Sequence, residues 1–395
     1  MADKFVRKSA TGTGSGADWT NAYTDFSSVS YTGLAGFTLW VAAGSYTTNL
    51  PYMNNIDNVT IKRATVAEHG SASGWSDSYD GQVTVDSSDR FLDADLCDNF
   101  VIDGVSNNPW KFRIVGVRAA NGMFLFEGAS FTMRNIEMDG NFEWGSNEDG
   151  IRGGGIVDGI IEHCYVHDYP HGLPGHNDII QIGDATSLIL RYNIFRNGGQ
   201  HAILGAYDWY GGIVNNLEIY YNVFYNTTDT GTYDTVSYNT LVFYGTSGTL
   251  KIENNTFAIR SSLGSRGIIN DVPNAGGNVT SGRVWRNNIC YDCSLGDVAA
   301  SGTKSNNTYY NSSSTGESGE LLTDPLFTNY AANDFTLQSG SPAIGSGIAA
   351  GYTVDILGNA VSNPPDRGAY QFSSGGGSSP LAATACAIGR SLRLY

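Results

Sequence analysis

Residues 161–166 read IEHCYV, residues 190–195 LRYNIF, residues 219–224 IYYNVF and residues 252–257 IENNTF, and these four stretches decide the fold. Their fourth residues, Cys164, Asn193, Asn222 and Asn255, stand 29, 29 and 33 positions apart. Each stretch alternates apolar and polar residues and is rich in β-branched and aromatic side chains, the mark of a half-buried strand. Gly, Asn and Asp fill the intervals, and no helical period separates one copy from the next. A strand that returns at a nearly constant interval predicts a coil stacking on its predecessor, a solenoid. The phase runs upstream to Ile136 in MRNIEM (133–138), with a looser copy at FVIDGV (100–105). Downstream it reaches Asn288 in WRNNIC (285–290) and NNTYY (306–310).

In a parallel β-helix, the same position of successive coils lies about 4.8 Å above its predecessor. Asn193, Asn222, Asn255 and Asn288 then form an internal column at a bend, each amide bonding the next and satisfying turn backbone that would otherwise be buried unpaired. Cys164 shares that register, which predicts a buried thiol, and with Cys97, Cys290, Cys293 and Cys386 it makes a set too sparse for a disulfide scaffold. The 50 glycines, 12% aromatic and 15% charged residues of this 395-residue chain describe a turn-rich β protein with a large core. Its 22 Lys+Arg against 38 Asp+Glu, net −16, argue against nucleic acid or an anionic membrane as partner. An acidic glycan stays open, bridged by Ca²⁺ or a local basic patch. No run is long enough to span a membrane, and Met1 leads straight into strand sequence without a secretory segment.

The two ends carry a resemblance. SATG (9–12), GADWTNAY (16–23) and LWVAAGSY (39–46) resemble the N-terminal cap of right-handed parallel β-helix proteins of the pectate-lyase-like superfamily. DPLFTN (324–329), NDFTLQSGSPAIGSG (333–347), DILGN (355–359) and DRGAYQF (366–372) are similar to its closing segment. With the repeats, the likeness covers nearly all of residues 1–372. It implies an all-β fold, a single-stranded right-handed parallel β-helix, with an N-terminal cap (1–35), the helix proper (36–311) and a C-terminal closing segment (312–372). The superfamily includes lyases, hydrolases, epimerases, adhesins and virus tailspikes, so the reaction stays open. Within the cap, Asp18 is expected to start a short helix near Trp19. Residues 70–81 read as an inserted loop whose Trp75 and Tyr79 either stack on sugar rings or pack back onto their own coil. A Gly/Ser linker (373–379) then leads to an apolar and basic peptide (380–395) suited to docking on a virion or another protein.

Chemistry is expected where the histidines gather, since His163, His167, His171, His176 and His201 are five of the six in the chain. Setting Gly183 level with Gly205 brings Gln181 and His201 onto neighbouring coils, on an outer face within reach of one ligand. His167, Asp168, His171, His176 and Asp178 lie on a Pro- and Gly-stiffened loop beside that face. Arg152 stands one coil upstream, and Tyr207, Trp209 and Tyr210 follow as aromatic surface. Two mechanisms suit such a flank. In β-elimination on a uronate polymer, a His or Tyr base takes a proton while Arg152 or a metal neutralises the carboxylate. In hydrolysis, two carboxylates drawn from Glu148, Asp149, Asp168 and Asp178 flank the bond. A structural cluster with Asp178 and His176 as turn devices, and a loop metal site from His167, His171 and His176, are the competing readings. The expectation is therefore a virion-associated module of the tailspike, tail-fibre or head-fibre kind that recognises cell-surface polysaccharide, with or without degrading it. It would sit on the virion surface, or be extracellular, and by resemblance be a homotrimer. The alternatives are a structural fibre without turnover and a secreted polysaccharide lyase.

Overall fold

The repeat interval is one turn of a three-sided coil in the computed structural model, which describes residues 2–86, 90–107, 109–116, 122–140, 149–169, 178–198, 201–205, 212–227, 239–243, 246–260, 267–271, 282–299 and 302–373. A representative turn runs from Asp158–Glu162 on the first sheet to Tyr165–Tyr169 on the second and Ile180–Ile182 on the third. It then enters the next turn at Leu188–Arg191. Among the described residues the three sheets hold eleven, ten and eight strands, all parallel to their neighbours. Inward positions stack in register. Phe195, Phe224 and Phe257 are paired in turn, their ring centroids 4.9 Å apart at each step. That spacing is the strand separation itself.

The bend between the first and second sheets repeats one backbone device. Asn135, His163, Tyr192, Tyr221, Asn254, Asn287 and Asn306 all hold φ between 52° and 60°. This is the left-handed region, which Asn tolerates and Tyr adopts only where the surrounding structure enforces it. The next residue is the amide column. Asn193 N and Nδ2 donate to Asn222 Oδ1 at 2.9 and 3.0 Å, Asn222 repeats the pattern onto Asn255, Asn255 onto Asn288, and Asn288 onto Asn307. All five side chains are fully buried. At the upper end Cys164 N donates to Asn193 Oδ1 at 2.9 Å, and its buried thiol is pushed up to about 12. At the lower end Glu317 Oε1 takes the place of a sixth amide, accepting from Asn307 N at 2.8 Å and Nδ2 at 2.7 Å.

The closing segment packs along the side of the coil. Residues of the closing segment, among them Phe327, Phe335, Ile356 and Tyr370, form a second apolar cluster with Tyr225, Ala258 and Ile289 on the outer face of the second sheet. At the N-terminal end Asp18 accepts the Asn21 N–H at 2.8 Å, yet no helix follows. That expectation is corrected: the Asp closes a side-chain turn among Gly, Thr and Asn, residues that favour turns over helix. Trp75 and Tyr79 are not free platforms, since Trp19 lies 5.2 Å from one ring and 5.8 Å from the other. They pack on Trp19 of the N-terminal segment, and Trp75 also stacks on His69 of its own loop at 5.4 Å.

Candidate functional site

Coil geometry divides the expected site into two groups on either side of the bend that leaves the second sheet. His171, His176, Tyr207, Trp209, Tyr210 and Glu148 lie outside the described residues.

The first group stands at the ends of second-sheet strands. Pairing of Asp139 with His167 and of His167 with Arg196 puts three charged side chains in one column, with Glu137 alongside. His167 Nδ1 bonds Asp168 Oδ2 at 2.9 Å, and its Nε2 bonds Glu137 Oε1 at 3.3 Å. Arg196 pairs with Asp168, Arg113 pairs with Asp139 and reaches Glu137 at 3.1 Å, and Asn197 Nδ2 donates to Asp168 Oδ1 at 2.8 Å. Burial would lower the His167 pKa, but Asp139 and the bonds to Asp168 and Glu137 carry it up to about 9. Burial likewise works against the Asp168 anion, yet His167, Arg196 and Asn197 hold it down to about 2. In its charged form His167 donates to Asp168 and to Glu137. Asp139, His167 and Asp168 offer ligand atoms within 4.8 Å of one another. Three carboxylates already face two arginines and an imidazolium there, so the cluster is neutral without an added cation.

The second group opens the third sheet. Ile151 pairs with Ile180 and Ile180 with Ile203, so Asp149, Asp178 and His201 share one position on three successive coils. This corrects the register inferred from the two glycines. Gln181 lies opposite Leu204, not beside His201, a slip of one residue. The reason is steric. Gly205 pairs with Ile182 in an inward column that also holds Phe126, Gly153 and Phe243, whereas Gly183 follows the strand. There glycine makes room for its neighbours: a Cβ on Gly153 would come within 3.0 Å of Ile156 and 3.3 Å of Ile182. The open outer face is corrected too, because Gln181 and His201 are 5% and 6% exposed.

Asp149 Oδ1 accepts the Asp178 N–H at 2.9 Å, and Arg152 Nε lies 3.3 Å from its Oδ2. Asp178 is fully buried, its oxygens face the His201 backbone N–H, and no side chain hydrogen-bonds to them. Burial lifts the Asp149 pKa to about 6, and burial together with the Asp149 charge holds Asp178 well above the carboxylate range. Arg152 and Gln181 are paired next to this column, with Arg152 partly exposed. Glu137, Asp139, Arg113, Arg196 and Asn197 belong to no motif that singles them out in the sequence. Adding or subtracting one coil, 28 or 29 residues, from His167 and Asp168 reaches Asp139, Arg196 and Asn197 directly.

No curated protein matches the chain. Among solved structures it is similar to the crystal structure of pectate lyase Pel9A, with 13% sequence identity and a TM-score of 0.47 over 94% of this chain and 96% of that one. Residues 98–268 match the family model described as a right handed beta helix region. Strand pairing and sequence profile agree, and the fold is an all-β, right-handed parallel β-helix.

Proposed function

We propose that this chain recognises a polysaccharide and cleaves it at the bend between the second and third sheets, with Asp149 and Asp178 as the reacting carboxylates. One observation carries the reading: two carboxylates are stacked one coil apart in the interior, both with raised pKa values, where neutral amides would satisfy the bend better. Perturbed carboxylates of this kind are the usual equipment of glycoside chemistry. Arg152 supplies a cation for an acidic sugar, and Gln181 and His201 flank the pair.

The test is to incubate the protein with uronate polymers and bacterial capsules while following reducing ends and the absorbance of unsaturated products. Cleavage that disappears in Asp149→Asn and Asp178→Asn supports the reading. No product from any polymer supports a structural fibre instead, which the neutral, fully paired His167 network favours. Placement on a virion, a homotrimer, Ca²⁺ bridging to an acidic glycan and docking through residues 380–395 belong to the same proposal, and that peptide lies outside the described residues. Detection of the protein in purified phage particles tests the placement.

A further inference from the structure

Asp149 and Asp178 occupy the same position of successive coils, which sets their backbones about 4.8 Å apart. Their surroundings differ. Asp149 has an N–H donor at 2.9 Å and the Arg152 guanidinium at 3.3 Å, whereas the Asp178 oxygens are covered and have only the His201 backbone N–H as donor, with no cation at hydrogen-bond distance. The groups facing Asp178 are Asp149 and Arg152 from the coil before and the His201 backbone from the coil after. Two anions stacked in a dry interior repel strongly, and the neighbouring cation sits on the Asp149 side.

We infer that the pair holds one proton at neutral pH, that Asp178 carries it, and that Asp178 is the general acid of a hydrolytic cleavage in which Arg152 positions Asp149 as the anionic partner. The acid role rests on the glycan-cleavage reading, whereas the resident proton does not. In the cleavage step the Asp178 O–H bond breaks and its proton passes to the glycosidic oxygen. The bond from the anomeric carbon to that oxygen breaks, and its electron pair leaves with the departing sugar. The Asp149 carboxylate faces the positive charge growing on the anomeric carbon. Water then adds its oxygen to that carbon and returns a proton to Asp178, so one water is consumed and the pair is restored.

Infrared difference spectra of the whole protein, with aspartate carboxyls isotopically labelled, read the proton without any substrate. At pH 7 a protonated-carboxyl band is expected in the wild type, absent in Asp178→Asn and retained in Asp149→Asn. Circular dichroism checks that each variant is folded. Arg152→Met should move the loss of the band to higher pH, and Arg152→Lys should restore it, because a cation favours ionisation. A wild type without the band, or a band that survives in Asp178→Asn, overturns the inference. Saturated hydrolysis products support the acid role, and unsaturated products overturn it. A band that behaves as expected in a protein that cuts no glycan upholds the proton and refutes the cleavage reading, so the two fail separately.

Discussion

At the bend entering the second sheet the stacked side chains are Asn193, Asn222, Asn255, Asn288 and Asn307; at the bend leaving it they are Asp149, Asp178 and His201. Both columns repeat at one residue per coil, and both are buried. They differ in what each side chain can do. An amide has donors and an acceptor, so every rung bonds the next while its spare N–H reaches a carbonyl, as Asn222 Nδ2 does to Leu190 O at 2.8 Å. A carboxylate only accepts. A stack of them gathers repulsion, which raises the pKa of Asp178 beside the Asp149 charge. The first column is what stability alone would select, and the second is the kind of local conflict that folds retain where chemistry needs it.

The sharpest way to break this contrast is to turn one rung into the other kind. Asn222→Asp removes the donors to Leu190, Tyr220 and Asn255 and buries a charge. The expected loss is about 3–5 kcal/mol, read from the urea midpoint at pH 7. An unchanged midpoint would show that the amide hydrogen bonds do not hold the bend. Arg196→Met comes next, since it strips Asp168 of one of its two buried cations. It should cost about 3 kcal/mol at pH 7 and progressively less as the pH falls from about 4 toward 2 and the carboxyl takes up its proton.

Asp178→Asn runs the other way. A raised folded pKa stabilises below the unfolded value and is lost as pH rises, so the native Asp should weaken the fold toward neutral pH. The variant is expected to be more stable by about 1–2 kcal/mol at pH 8, with the gain vanishing near pH 3, while cleavage is abolished. A lower melting temperature at pH 8 would mean that the acidic column is structural. His167 adds an alkaline signature. Its pKa of about 9 gives stability that is complete below about 6.5 and declines as pH rises through 9, and His167→Gln should flatten that limb of the melting curve. The smallest change expected is in Glu317→Gln, which keeps the acceptor for Asn307 and should cost under about 1 kcal/mol.

The amide column is legible in the sequence because its letters recur at the coil interval in an unbroken run. The charged network is not, because Asp139, His167 and Arg196 are different residues serving one position, and only projection by one coil joins them. Gly183 and Gly205 mislead about the third-sheet register since glycine marks crowding, which recurs wherever a neighbour is large and need not keep phase. The loop histidines stand out by number alone. In the structure His163 is packed on Tyr192 with rings 5.0 Å apart, and His167 is locked among carboxylates. Asp178 is legible as a candidate, but its partner in conflict, Asp149, acquires meaning only once the coils are stacked.

The left-handed bend also bears on how such a chain can change over time. Between Asn288 and Asn307 the column advances in 19 residues, and between Asp57 and Asp98 one circuit takes 41, with neighbouring strands still in register. The corner, then, is the part of each circuit whose length must be kept. Segments elsewhere on the perimeter are free to lengthen, shorten or be exchanged, so new specificities can be grafted onto an unaltered spine.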